Sequence, residues 1–234
     1  MRAAPISPWT ICLAVPLLGL LAACGGSTSR HGAGSKEGPA AAQAVRLPDP
    51  AIYAAQLDAK ERYWWQQPER VIAMMECEPG MTVVDLGAGT GYFLPYLSQA
   101  VGPGGHVLAL DTDRDMIEHL AERVHRERLR NVTPGLVAED DPALDPRSTD
   151  RVLVVNTWHH LQDRSAYAAR LYEALRNEGQ VFIIDFDQES PKGPPREHRL
   201  TPVTVIAELE AAGFTAVQVE EPLPYQYAIR GIVR

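Results

Sequence analysis

The chain has 234 residues, 45% of them hydrophobic, with a formal net charge of −8 and a pI of about 5.4. That length suits one domain with extensions, and that composition suits a buried core. The acidic balance argues against a general nucleic-acid binder, which needs a basic face to displace counterions.

Residues 1–23 read as a processing segment. Arg2 is basic, and Trp9 to Ala23 is almost wholly apolar, about the length of a signal-peptide core and short for a membrane span. Leu21-Ala22-Ala23-Cys24 resembles the lipobox of bacterial lipoproteins. That resemblance implies cleavage before Cys24, lipid on Cys24, and a place in the bacterial cell envelope, held by lipid to a membrane on its periplasmic side. A plain secretory signal and an uncleaved anchor are the alternatives. Cleavage would remove Cys12 and leave Cys77 as the one thiol besides Cys24, with 21 basic residues against 30 acidic. Residues 24–50 then form a lipidated, flexible tether, small and polar from Gly25 to Ala44. Residues 51–234 form the domain.

Within it, helix and strand patterns alternate. Helices are expected at Ala51–Trp65 and Glu69–Cys77, with Pro68 in a first turn. A buried strand follows at Thr82–Leu86, then a helix at Tyr92–Val101 closed by Gly-Pro-Gly-Gly. His106–Leu110 is a strand ending at Asp111, and Asp113 caps a helix to about Arg128. Asn131–Ala138 is a weaker strand, interrupted by Pro134 and Gly135. Arg151–Asn156 is a strand, Ser165–Leu175 a helix and Gln180–Asp185 a strand. Thr201 and Pro202 open a helix to Ala212, and Thr215–Glu220 and Tyr227–Val233 are two final strands. The pattern predicts a Rossmann-like, seven-stranded, mostly parallel sheet with helices on both faces and an antiparallel C-terminal strand pair. Ligands of such sheets sit beyond the carboxyl ends of the strands.

Gly87, Gly89 and Gly91 follow the first strand as G-x-G-x-G. Glycine lets backbone approach a ligand closely, and the next helix offers unpaired N–H groups. A dinucleotide fingerprint would carry its third glycine where Tyr92 stands. Asp85, just ahead of the turn, would repel a pyrophosphate and attract an amino group.

The stretch VVDLGAGTGYF resembles the first motif of class I S-adenosylmethionine-dependent methyltransferases, VLALDTDRDMIEHL their second, and NEGQVFIIDF the entry to their fifth strand. The resemblance covers about residues 60 to 233. It implies S-adenosyl-L-methionine as cofactor. Asp85 and Gly87 would hold its methionine amino end, and Ala88, Gly89 and Gly91 would shape the floor. Asp111 would take the ribose hydroxyls, with Thr112 beside it. VAEDDP departs from the family's third-strand pattern, so Glu139 and Asp140 are both candidates for the adenine. Asn156 closes the fourth strand, whose end, by the same resemblance, would face both cofactor and acceptor.

His159 and His160 follow. Either can act as a base on an acceptor oxygen or nitrogen, since imidazole titrates near neutrality, or the pair shapes the substrate site or caps a helix. Two adjacent histidines point apart, and no third ligand lies at metal-binding spacing. Tyr63, Trp64 and Trp65 either pack their helix on the sheet or, through Tyr63 or Trp64, roof the cofactor. Pro191–Leu200, with Lys192, Arg196, His198 and Arg199, is either a solvated loop or an acceptor lid. The function expected is methyl transfer to a small-molecule or envelope acceptor, with no obligate protein partner. An inactive lipoprotein that retains the fold and binding is the alternative, and an NAD-type oxidoreductase a weaker one.

Overall fold

A computed structural model describes residues 60–220 and 223–234. The expected signal peptide, Cys24, the tether and the first part of the helix expected from Ala51 lie outside the described residues. Helices α1 (Lys60–Gln66) and α2 (Pro68–Met74) come first, then β1 (Thr82–Leu86), α3 (Leu94–Val101), β2 (His106–Asp111), α4 (Arg114–Glu127) and β3 (Val132–Leu136). After these come β4 (Thr149–Val155), α5 (Arg164–Ala174), β5 (Leu175–Phe186), α6 (Pro202–Ala211), β6 (Thr215–Gln218) and β7 (Gln226–Ile232).

The seven strands form one sheet in the order β3-β2-β1-β4-β5-β7-β6. Strands β1 to β5 pair in parallel, and β7 runs antiparallel to both β5 and β6. The Rossmann-like sheet with an antiparallel final pair is therefore present as expected. Alternation along β1 explains its two-sided burial. Val83 faces Leu94, Leu97 and Leu120 in one core layer, while Val84 and Leu86 join Leu171, Val205 and Leu209 in the other. Asp85 shares the face of Val83, so its carboxylate points into the layer beneath α1–α4.

Several boundaries differ from expectation for physical reasons. The helix expected from Tyr92 begins at Leu94, because turns fill residues 89–93. Pro134 and Gly135 are tolerated inside β3 because β3 is an edge strand. Strand β5 begins at Leu175 rather than Gln180, through an irregularity in its pairing with β4 between Thr149 and Arg151. Asp113 and Asp163 cap α4 and α5, accepting N–H from Asp115 and Ala166, and Thr201 caps α6.

Gly91 has φ +77, and a Cβ there would lie 2.7 Å from Leu94 Cδ1 and 2.8 Å from Leu120 Cδ2. Both leucines are fully buried. Gly91→Ala is expected to destabilise the fold by about 2–3 kcal/mol through strain and overpacking, measured by urea unfolding.

Candidate functional site

A cavity of about 440 Å³ opens beyond β1 and β4, where the strand order reverses. That volume lies in the range of small-molecule and cofactor sites. Gly87, Ala88, Gly89 and Thr90 form one wall, and Asp111, Thr112 and Met116 the next. Val137 and Glu139 continue it past β3, and Asn156, Thr157 and His160 line the side after β4. Arg62 reaches in from α1.

The glycine turn is fixed from behind. Gly87 and Ala88 donate their N–H groups to the Leu110 carbonyl at 2.8 and 3.0 Å. Gly89 N–H donates to Asp111 Oδ2 at 2.8 Å, and Asp113 N–H to Asp111 Oδ1 at 3.0 Å. Burial raises the Asp111 pKa, and the N–H groups of Asp113, Gly89 and Thr112 pull it back down. Two carboxylate oxygens offer about four lone-pair sites, so the carboxylate can still accept a further donor. Asp85 is 3% exposed, and its Oδ2 has no hydrogen-bond partner. Burial pushes its pKa up to about 7; the Arg62 charge works against this and the Asp111 charge adds to it.

Helix α1 is the roof. The Arg62 guanidinium lies 4.1 Å from the centre of the Tyr92 ring, a cation–π contact. Trp65 packs against Phe186 and Tyr225, with ring centres 5.8 and 6.4 Å away. Tyr63 and Trp64 are exposed and do not line the cavity, so α1 packs through Trp65 and covers the site through Arg62. Gln66 Nε2 donates to Gln226 Oε1 at 2.7 Å, and Gln226 Nε2 to Asn156 Oδ1 at 2.6 Å.

The two histidines separate. His159 turns inward, its Nδ1 2.8–2.9 Å from both Asp185 oxygens. His160 faces the cavity, and its ring lies 4.1 Å from that of His159. Partial burial of the His160 ring lowers its pKa, His159 adds to this, and Asp185 opposes it. Trp158 anchors their 3-10 turn, donating from Nε1 to Glu208 Oε2 at 2.8 Å, and Glu208 pairs with Arg164 at 2.8 Å.

Of the residues expected at the site, Gly87, Ala88, Gly89, Asp111, Thr112, Glu139, Asn156 and His160 line this cavity. Asp85 lies buried behind it, and Gly91 instead makes room for Leu94 and Leu120. Asp140 lines an adjoining hollow with Tyr167 and Arg170. Arg199 donates to the carbonyls of Asp187, Gln188, Ser190, Lys192 and Pro194, and Arg196 pairs with Glu189. The 187–200 loop thus uses two of its cations on itself. Among the described residues no group of three or more His, Cys, Asp or Glu is placed to hold a metal ion.

A family profile described as a methyltransferase domain matches residues 84–181. An S-adenosylmethionine-dependent methyltransferase from Aquifex aeolicus is 30% identical, with a TM-score of 0.75 over 80% of this chain and 100% of that one. The chain belongs to the S-adenosylmethionine-dependent methyltransferases. Nocamycin O-methyltransferase from Saccharothrix syringae is 30% identical over 65% of this chain and 54% of its own length. Arsenite methyltransferase from Halobacterium salinarum is 29% identical over 60% and 39%. This methyltransferase chain thus spans about half or less of the length of those two relatives.

S-adenosylmethionine fits what the site presents. Asp85 Oδ2 is a buried acceptor in want of a cation, and the cofactor's amino end is one. Asp111 offers a carboxylate to a ribose hydroxyl, and Met116 and Val137 offer apolar walls.

The raised Asp85 pKa makes two linked predictions. A carboxyl whose folded-state pKa exceeds its ordinary 3.8 favours the fold below that value, and the contribution is lost as pH rises through about 7. Thermal unfolding of the unliganded protein should therefore show stability falling across that window, and Asp85→Asn should flatten the fall. An ammonium beside Asp85 restores the carboxylate. Calorimetry with S-adenosylhomocysteine at pH 7, in buffers of differing ionisation enthalpy, should then report release of roughly half a proton, absent in Asp85→Asn.

Proposed function

We propose that this chain transfers the methyl group of S-adenosylmethionine to a small-molecule or envelope acceptor, with His160 as the base. The observation that carries the reading is the buried, under-partnered Asp85 behind a glycine turn that is itself tied to Asp111. The bound cofactor supplies an activated methyl group on a sulfonium sulfur. The chain's own task is alignment, which can supply about 7–11 kcal/mol. Asp85 draws the amino end, Asp111 the ribose hydroxyls, and Glu139 stands on the wall beyond β3. His160, on the cavity wall, would take the proton that the acceptor loses as it displaces sulfur from the methyl carbon. Its lowered pKa keeps the ring neutral at physiological pH. The His159–Asp185 pair holds the turn that presents it.

A thiol-based reaction is not supported. Burial pushes the Cys77 thiol up to about 11, and Cys77 lies beside Arg151, at the end of β4 remote from the cavity. We further propose that Cys24 carries lipid and holds the domain at a membrane, on the support of Leu21–Cys24. Among the described residues no helix is long and apolar enough to cross a membrane. Export also favours a second reading, binding without turnover, because the cofactor is made in the cytoplasm.

The full chain, incubated with methyl-labelled S-adenosylmethionine and an envelope extract, should form S-adenosylhomocysteine and a labelled product. Binding without product would favour the second reading. His160→Ala should lower the rate by about 10²–10⁴-fold with cofactor affinity unchanged. The wild-type rate should fall as pH drops through a midpoint below 6.5, since only neutral His160 accepts a proton.

A further inference from the structure

The amides that join α1 to the end of β4 have a direction. Carboxamide oxygen and nitrogen are told apart by their partners. Arg62 can only donate, and its Nε and Nη2 both face Gln66 Oε1 at 3.4 Å. That leaves Gln66 Nε2 to donate to Gln226 Oε1, and Gln226 Nε2 to donate to Asn156 Oδ1. Gln66 and Gln226 are buried, so no water competes for their orientation. Asn156 is held with its backbone at φ +55 and lines the cavity beside Thr157 and His160. Its oxygen is engaged, so what it can turn to a ligand is its Nδ2–H donors.

We propose that the Arg62–Gln66–Gln226 relay fixes Asn156 as a hydrogen-bond donor, and that this selects methyl acceptors reacting through oxygen over amines. The proposal rests on the methyltransferase reading. A neutral amine has one lone pair, and a donor that occupies it blocks attack on the methyl carbon. A hydroxyl or its conjugate base has at least two. One can accept from Asn156 while another displaces sulfur from the methyl carbon, the C–S pair leaving with sulfur, and His160 takes the proton. A site whose buried polar groups match one chemistry rejects the mismatched one strongly, because the mismatch leaves them unpaired. Gln66 and Gln226 are positioning residues here, acting through Asn156.

The test needs no acceptor. Sinefungin replaces the sulfur of S-adenosylhomocysteine with a carbon bearing an amine, and so places an N–H donor where the methyl group would be. Dissociation constants of both compounds are measured with the full chain, Asn156→Asp and Gln226→Met. Wild type should bind sinefungin more weakly than S-adenosylhomocysteine. Asn156→Asp, which replaces the donor with a charged acceptor of the same size, should lower the sinefungin-to-S-adenosylhomocysteine ratio at least tenfold. Gln226→Met, which frees the Asn156 amide to turn, should lower it about threefold. A ratio unchanged in Gln226→Met would overturn the proposal while leaving the cofactor site standing, since the charge added in Asn156→Asp attracts the sinefungin ammonium by itself. Loss of S-adenosylhomocysteine affinity in Asn156→Asp with the ratio constant would place the cofactor's carboxylate on Asn156 and also overturn it. Failure of wild type to bind either compound would remove the cofactor reading itself.

Discussion

Asp85 sits one residue from the end of β1, buried in the layer under α1–α4, with one oxygen lacking a hydrogen bond. A charge in that position is costly unless something positive arrives. The surrounding structure tempers the cost without removing it. Arg62 lowers the Asp85 pKa from across the cavity, while Asp111 raises it. Burial alone would leave a neutral acid; a cationic ligand end makes it an anion. A buried carboxyl poised in this way suits a ligand that carries a positive charge.

The roof over this carboxylate is held by polar and aromatic contacts. Arg62 lies on Tyr92, Trp65 on Phe186 and Tyr225, and Gln66 reaches Gln226. These contacts fix a seven-residue helix that is too short to be stable alone. The same contacts carry orientation into the site, because a guanidinium can only donate and the amides must follow it. Fold and specificity share residues here, so changes in α1 should be felt at the end of β4.

Much of the sheet was legible because its signals are local. The apolar run into Asp85, the glycines after it and Asp111 at the next strand end all lie within thirty residues. Asp113 and Thr201 announced their helices by the chemistry of capping. Legibility failed where distance in the chain intervened. Gln66 and Gln226 are 160 residues apart, and neither carries a motif. A buried glutamine in an apolar strand such as PYQYAI was the one available hint. Arg62 was overshadowed by the neighbouring tryptophans, yet it is the residue of that helix that reaches the cavity. The histidine pair was visible as a pair, but its division of labour depends on Asp185, a partner 26 residues on. Gly91 belonged to the glycine pattern, yet its space is filled by two leucines.

The function proposed depends on the glycine turn, Asp85 and Asp111 binding S-adenosylmethionine. Equilibrium binding of labelled cofactor to the full chain, beside an Asp111→Ala variant shown to be folded, tests this directly. Wild type should bind with micromolar affinity, and the variant should lose tenfold or more. A folded wild type that binds no cofactor, or a variant that binds it equally well, would contradict that function.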